Sequence, residues 1–375
     1  MLKKVLLGIL ALIFVNNICA QNIKVGINKN IETLAIIYSL SAECSRFYTS
    51  DYTQIKDIAN NFKQFKDHEV VRQTNKLIKN RFLNLGRLMV LGVNYEEVPK
   101  CKLKKGTSFR PVILETDTSM HIKNASKEFD RYMNLVNQFY EDAKLEQYFK
   151  SNEQVFNYAE SEINKLLLGN NYARIMETFF GMHNFNFNIS PSIHTPPYMN
   201  FGASSITQNG KEIYFIMGIT DKDFNFTNYS NFKSMYYHSA YFTSNFLHEF
   251  CHSYVEATII KDLNRAKINN LSFLNTNVIK DKLRKQGYGT EWSTCFEEHL
   301  VRSIEHYLCN EVGFKKESLE DKNTDFKDGF IYIDEFSEAI KDYAQNRERY
   351  KTFEDYFDTL TLNLQKVKLK ETIEN

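Results

Sequence analysis

The segment LHEFCHSY, residues 247–254, carries two histidines four apart, with a glutamate next to the first. In an α-helix, residues four apart lie on one face, about 6 Å from each other. Imidazoles so spaced can share one Zn²⁺, each at about 2 Å. Glu249 then falls to the side where an activated water would sit, within reach of its proton. His248, Glu249 and His252 therefore supply the parts of metal-assisted hydrolysis. A pair of histidines rarely holds catalytic zinc alone, so a third protein ligand is required.

The motif needs a helix. Residues 235–260, MYYHSAYFTSNFLHEFCHSYVEATII, contain no Gly or Pro. Phe246, Leu247, Phe250, Tyr254 and Val255 form an apolar stripe beside the histidines, which predicts a partly buried helix. The third ligand is expected in WSTCFEEHLVRSIEHYLC, residues 292–309, also helical, with Phe296, Leu300, Ile304 and Leu308 as its ridge. Glu297 and Glu298 are adjacent carboxylates there. The helical wheel sets Glu297 nearer the ridge, and a buried carboxylate needs a partner. Arg302, one turn past Glu298, either steadies that carboxylate or makes a surface i,i+4 ion pair. His68 alone reads as structural; His299 and His306 flank the proposed ligand and could bind metal, but a capping or surface role is the simpler reading.

Zincins of the glutamate-ligand type resemble this layout: HExxH, a gap of a few tens of residues, then a glutamate in a second helix. Matched to that pattern, EEHLV implies Glu298 as the metal ligand. In such enzymes a Tyr or His often steadies the oxyanion of the tetrahedral intermediate; Tyr288, just before the second helix, is the candidate here. Most of residues 30–310 resembles the bacterial DUF4932 family. The matching steps are IETLAIIYSL, FKQFKDHEVV, IYFIMGI, HEFCHSYV, YGTEW and EHLVR, in that order. Glu256 departs from the Asn-Pro expected after HSYV, at a position away from the metal ligands. The resemblance implies a zinc-peptidase fold and supports the ligands better than any substrate.

Composition bounds the rest. The chain has 375 residues, 43% hydrophobic and 25% charged, which is ordinary for a globular protein. Net charge is +1 with no block of one sign, so there is no nucleic-acid footprint. Few breakers (14 Gly, 5 Pro) and many rings (30 Phe, 22 Tyr) predict long helices around a bulky core. MLKKVLLGILALIFVNNICAQ has Lys3 and Lys4, an apolar run from Val5 to Val15, and a small residue at Ala20. That is the pattern of a signal peptide cleaved after Ala20, for a periplasmic or secreted protein. Ile18 before Cys19 argues against a lipoprotein site. No later stretch reaches the roughly twenty apolar residues of a membrane span. Cys44, Cys101, Cys251, Cys295 and Cys309 are scattered without a CxxC pair, so they are not a disulfide framework. Cys251 points away from the histidine stripe and reads as packing.

Along the chain, residues 31–165 are expected to be mainly helical. Met199–Ile206 and Glu212–Ile219 are expected to be paired strands, joined at Gln208–Lys211 by a hairpin turn, with helices returning afterwards. The expected organisation is a leader at 1–20, a helical part at 21–165 and a catalytic part at 166–375, or one continuous domain over 21–375. The fold class expected is α+β, mostly α, zincin-like, with a small sheet over the HExxH helix. An edge strand at Ile213–Ile219 would hold an extended peptide. One Zn²⁺ on His248, His252 and Glu298, with Glu249 as base, would hydrolyse a peptide or protein substrate. The alternatives are a catalytically silent protein of the same fold, with structural zinc or a surface-polymer role, and a helical binding module in which HEFCH is accidental.

Overall fold

The computed structural model describes residues 23–42, 52–80, 82–107, 122–183, 185–196, 199–208, 210–218, 226–229, 239–286 and 288–369. The leader, Cys44 and residues 235–238 lie outside the described residues. In chain order the elements are β1 (Lys24–Val25), α1 (Lys29–Leu40), α2 (Thr53–Phe62), α3 (Glu69–Lys79), α4 (Leu85–Asn94), α5 (Ile122–Asp142), α6 (Leu145–Ser151) and α7 (Glu153–Leu167). Then come α8 (Tyr172–Phe180), β2 (Phe185–Ser192), β3 (Asn200–Thr207) and β4 (Gly210–Gly218). The chain closes with α9 (Ser239–Ile259), α10 (Asp262–Asn269), α11 (Asn277–Lys285), α12 (Trp292–Glu311), α13 (Lys315–Asp328), α14 (Ile333–Gln345) and α15 (Phe353–Leu364). The class is α+β and mostly α.

The sheet runs β1-β2-β4-β3, with β1/β2 and β2/β4 parallel and β3/β4 antiparallel. The expected hairpin is present as β3 and β4. The expectation that Ile213–Ile219 forms the edge is wrong: β4 is paired on both sides, and the edge beside the HExxH helix is β3. The residues give the reason. Ile213 to Met217 is a continuous apolar run, fully buried or nearly so, as an interior strand requires. β3 reads NFGASSIT, small and polar enough to tolerate a border position.

β4 and β2 present Phe215 and Phe187 to one side of α9. Phe242, Phe246, Phe250 and Tyr254 recur every fourth residue on α9 and form one ridge against those strands. Phe187–Phe250 ring centroids are 5.1 Å apart, Phe215–Phe246 6.2 Å and Phe185–Tyr254 4.4 Å. Each ring fully removed from water contributes about 1.5–3 kcal/mol, so this ridge fixes both the distance and the roll of the helix. α9 also packs on α12, whose other side is covered by α13 and α14.

The chain on either side of residue 165 shares this sheet. Lys24–Val25 pairs with Asn188–Ile189 of β2. Glu32 of α1, wholly buried, accepts from the backbone N–H of Ile193 and His194 and lies 2.5 Å from His194 Nδ1. His194 Nε2 is 2.9 Å from the Tyr148 hydroxyl, which donates to Asp57. Gly181 ends α8 in the left-handed region (φ +64°), and a Cβ there would meet Lys351 O at 2.0 Å. Cys101, Cys251, Cys295 and Cys309 are buried and free.

Candidate metal centre

α9 presents three rows of side chains with a four-residue repeat. The aromatic row faces the sheet. Ser244, His248 and His252 face α12; Asn245 and Glu249 face the rim of β3. Along the α12 row, Ser244 donates to Glu305, His248 reaches Glu305 and Glu298, and His252 reaches Glu298 and Glu297. Rising numbers on α9 thus meet falling numbers on α12, and the two helices run antiparallel.

His248, His252 and Glu298 each offer one ligand atom within 4.8 Å of the others, and are the group of this kind among the described residues. His252 Nε2 lies 3.6 Å from Glu298 Oε1, and His248 Nε2 3.9 Å from Glu298 Oε2. The remaining ring nitrogens are already engaged. His248 Nδ1 is 2.8 Å from Glu305 Oε2, and His252 Nδ1 is 3.0 Å from Glu297 Oε1. A carboxylate only accepts, so both Nδ1 atoms must carry the proton and donate. The two Nε2 atoms face each other across 3.2 Å. Two nitrogens each about 2 Å from one tetrahedral ion stand about 3.3 Å apart, so this separation fits a shared cation. Glu298 Oε2 adds to this, being buried without a hydrogen-bond partner. The donor set, two imidazole nitrogens and one carboxylate oxygen, fits zinc or a similar borderline cation.

The electrostatics agree. Burial lowers the His252 pKa, but Glu297, Glu298 and Glu249 outweigh it and raise the value to about 10. Burial likewise raises Glu305, yet the His248 hydrogen bond pulls it down to about 2. Glu298 is held below the usual carboxylate range, because His252, His248 and Arg302 overcome its burial. The site concentrates negative charge and calls for positive charge.

Glu249 sits beside this group on the β3 side. Burial raises its pKa, and His248 and His252 oppose the rise. Its carboxylate takes a backbone hydrogen bond from Gly202. A Cβ at Gly202 would stand 2.7 Å from Glu249 O and 3.2 Å from Glu249 Oε2, so glycine permits this close approach of strand to helix. Asn200 Nδ2 donates to Asn245 Oδ1 at 2.8 Å and ties the start of the strand to the same helix face.

Arg302 is not a surface residue. Its Nε is 3.6 Å from Glu298 Oε2, its Nη1 donates to Asp325 at 2.7 Å, and its plane lies 4.3 Å from the Phe330 ring centre. Its Nη2 donates to the Tyr288 hydroxyl at 2.9 Å. That hydroxyl, filled as an acceptor, keeps its own proton to donate. Burial and Glu298 push the Tyr288 pKa up to about 12, so the proton stays on. Tyr288 lines two cavities of about 630 and 320 Å³, and His248 and Glu249 line both as well.

The other histidines lie elsewhere. His299 is in the core, its Nδ1 2.6 Å from Cys295 O, with burial lowering its pKa to about 4. His306 pairs with Asp325, and His68 caps α3. Sequence reasoning missed Glu305, Ser244 and Asp325, and did not foresee Glu297 as the His252 partner. For Glu305 a signal existed: 298, 302 and 305 share one face of a helix.

No curated protein and no solved structure matches the chain. A family profile does, over residues 23–362, and spans both helices of the site and the sheet. The chain belongs to that family, described as a domain of unknown function, DUF4932.

Proposed function

We propose that this protein is an exported zinc-dependent peptidase of the zincin type. His248, His252 and Glu298 hold the metal, Glu249 is the general base and Tyr288 is the oxyanion donor. The observation that carries this reading is the facing pair of Nε2 atoms, 3.2 Å apart, each on a ring whose other nitrogen is committed to a carboxylate. Zinc bound there would supply a Lewis acid that acidifies a water and polarises the scissile carbonyl.

The protein's own groups do the rest. Glu249, its basicity raised by burial, takes a proton from the attacking water and returns it to the leaving nitrogen. Hydroxide adds to the acyl carbon, the C–N bond breaks, and the proton balance closes on the new amine. Tyr288, steadied by Arg302, donates to the carbonyl oxygen as charge develops on it. Glu305 and Glu297 hold the two imidazoles in the tautomer that a metal requires. A structural zinc site would be closed by a fourth protein ligand. Among the described residues this cluster has three, and it opens onto the cavities beside Glu249. The basic start and apolar run of the leader support export.

The deciding experiment pairs metal analysis of the purified chain with peptide cleavage by wild type and Glu249→Gln. Bound zinc is expected in both, with hydrolysis reduced by roughly a hundredfold or more in the variant. An unchanged turnover rate refutes the role of Glu249, and protein that binds no metal refutes the whole reading.

A further inference from the structure

The rim of β3 is open over part of its length only. Gly218 N donates to Met199 O at 3.0 Å, and the register pairs Asn200 with Met217. Bonded pairs alternate in an antiparallel ladder. Residues 199, 201, 203 and 205 therefore bond to β4, and Asn200, Gly202 and Ser204 turn their backbone groups outward. Two contacts agree: the Gly202 bond to Glu249, and Asn94 Nδ2 donating to Ser204 O at 3.0 Å.

That second contact shows the outer rim already in use. Asn94 ends α4, and the segment after it stays on the same border. Lys104 N donates to Asn94 O, and the Cβ direction of Gly106 points at the Gln208 backbone 3.4 Å away. Nearer Glu249, the Cβ direction of Gly86 is 3.5 Å from the Phe201 ring. The cavity of about 320 Å³ between α4, β3 and α9 is lined on its α4 side by Gly86, Arg87 and Val90. At the Met199–Asn200 end, the larger cavity of about 630 Å³ continues past Tyr241 and Asn245 towards α13.

We infer that the substrate is the N-terminal end of a peptide chain, trimmed by removal of its first residues. The inference rests on the peptidase reading above. An extended peptide adds to a strand border most stably in antiparallel register. Running opposite to β3, its N-terminal side lies by Ser204 and its C-terminal side by Asn200. Helix α4 stands across the path of the chain before the scissile bond, where a short stub fits better than a continuing chain. Past that bond the larger cavity accepts more chain.

The test uses the zinc-loaded full chain and random-sequence synthetic peptides, with products mapped by mass spectrometry. Each peptide is made again with extra residues on its N-terminus or on its C-terminus. Cuts should cluster at the N-terminal end and move with it when that end is extended; C-terminal extension should leave them in place. Cleavage of the same internal bond whatever the N-terminal extension overturns the inference and leaves the peptidase reading standing. No cleavage of any peptide by zinc-loaded protein overturns both. Binding gives a readout without turnover. Zinc-loaded Glu249→Gln should bind peptides labelled at the C-terminus at least about tenfold more tightly than the same peptides labelled through an N-terminal linker. Equal affinity overturns the inference.

Discussion

At the scale of single residues, the site is a problem of proton placement. Each imidazole has one nitrogen facing a carboxylate and one facing the other ring. The carboxylates of α12 decide which nitrogen turns toward the candidate metal position, so they would act on a bound metal through the histidines. Glu305→Ala is expected to weaken zinc binding by about 10–100-fold, measured by competition with a chromogenic chelator. An unchanged affinity would show that Glu305 serves only the packing of α12. The types and spacing of His248, Glu249 and His252 were legible, because four residues along a helix return to the same face. The choice between Glu297 and Glu298 was not. Neighbours in a helix point about 100° apart, and which of them meets a histidine depends on the roll of α12 against α9.

At the scale of elements, β3 and α9 meet where no side chain intervenes. Gly202 lets the strand come within contact of the Glu249 backbone and carboxylate. Gly202→Ala is expected to push β3 away and cut peptide hydrolysis by roughly tenfold or more with zinc retained, since no ligand is on the strand. Full activity in that variant would remove β3 from the working site. The hairpin was readable from the Gln208–Lys211 turn, but its placement was not. A turn specifies which two strands pair; it is silent on which of them takes a third partner. β2, contributed from before the hairpin, took β4 and left β3 outside. The unbroken apolar run of β4 was the available sign, but alternation and burial on both faces look alike in a short strand.

At the scale of the whole molecule, segments far apart in the chain are bound by buried polar groups as well as by rings. Glu32 serves three donors of residues 193 and 194 inside the core. Glu32→Ala is expected to cost about 3–5 kcal/mol of unfolding free energy in urea titration, because those donors lose their acceptor. A loss below about 1 kcal/mol would mean that water replaces the carboxylate. A metal held by His248, His252 and Glu298 would work over the same distances, joining α9 to α12 among four clustered carboxylates. Removing zinc with a chelator is expected to lower the melting temperature, by the equivalent of about 4 kcal/mol when zinc had stood a thousandfold above its Kd. A melting curve indifferent to chelator would sink the claim that the cation holds these helices together.

By itself the sequence determined what repeats locally: the long helices, the aromatic ridge of α9, the histidine pair on one face, the hairpin turn. Backbone geometry sets those periods, so they survive without knowledge of the rest of the chain. Only the tertiary structure decided which carboxylate joined the histidines, which ones bound their far nitrogens, and which strand stood open beside Glu249. Those outcomes depend on how helices roll and in what order strands dock. Side-chain packing between residues distant in the chain sets both, and no local pattern encodes it.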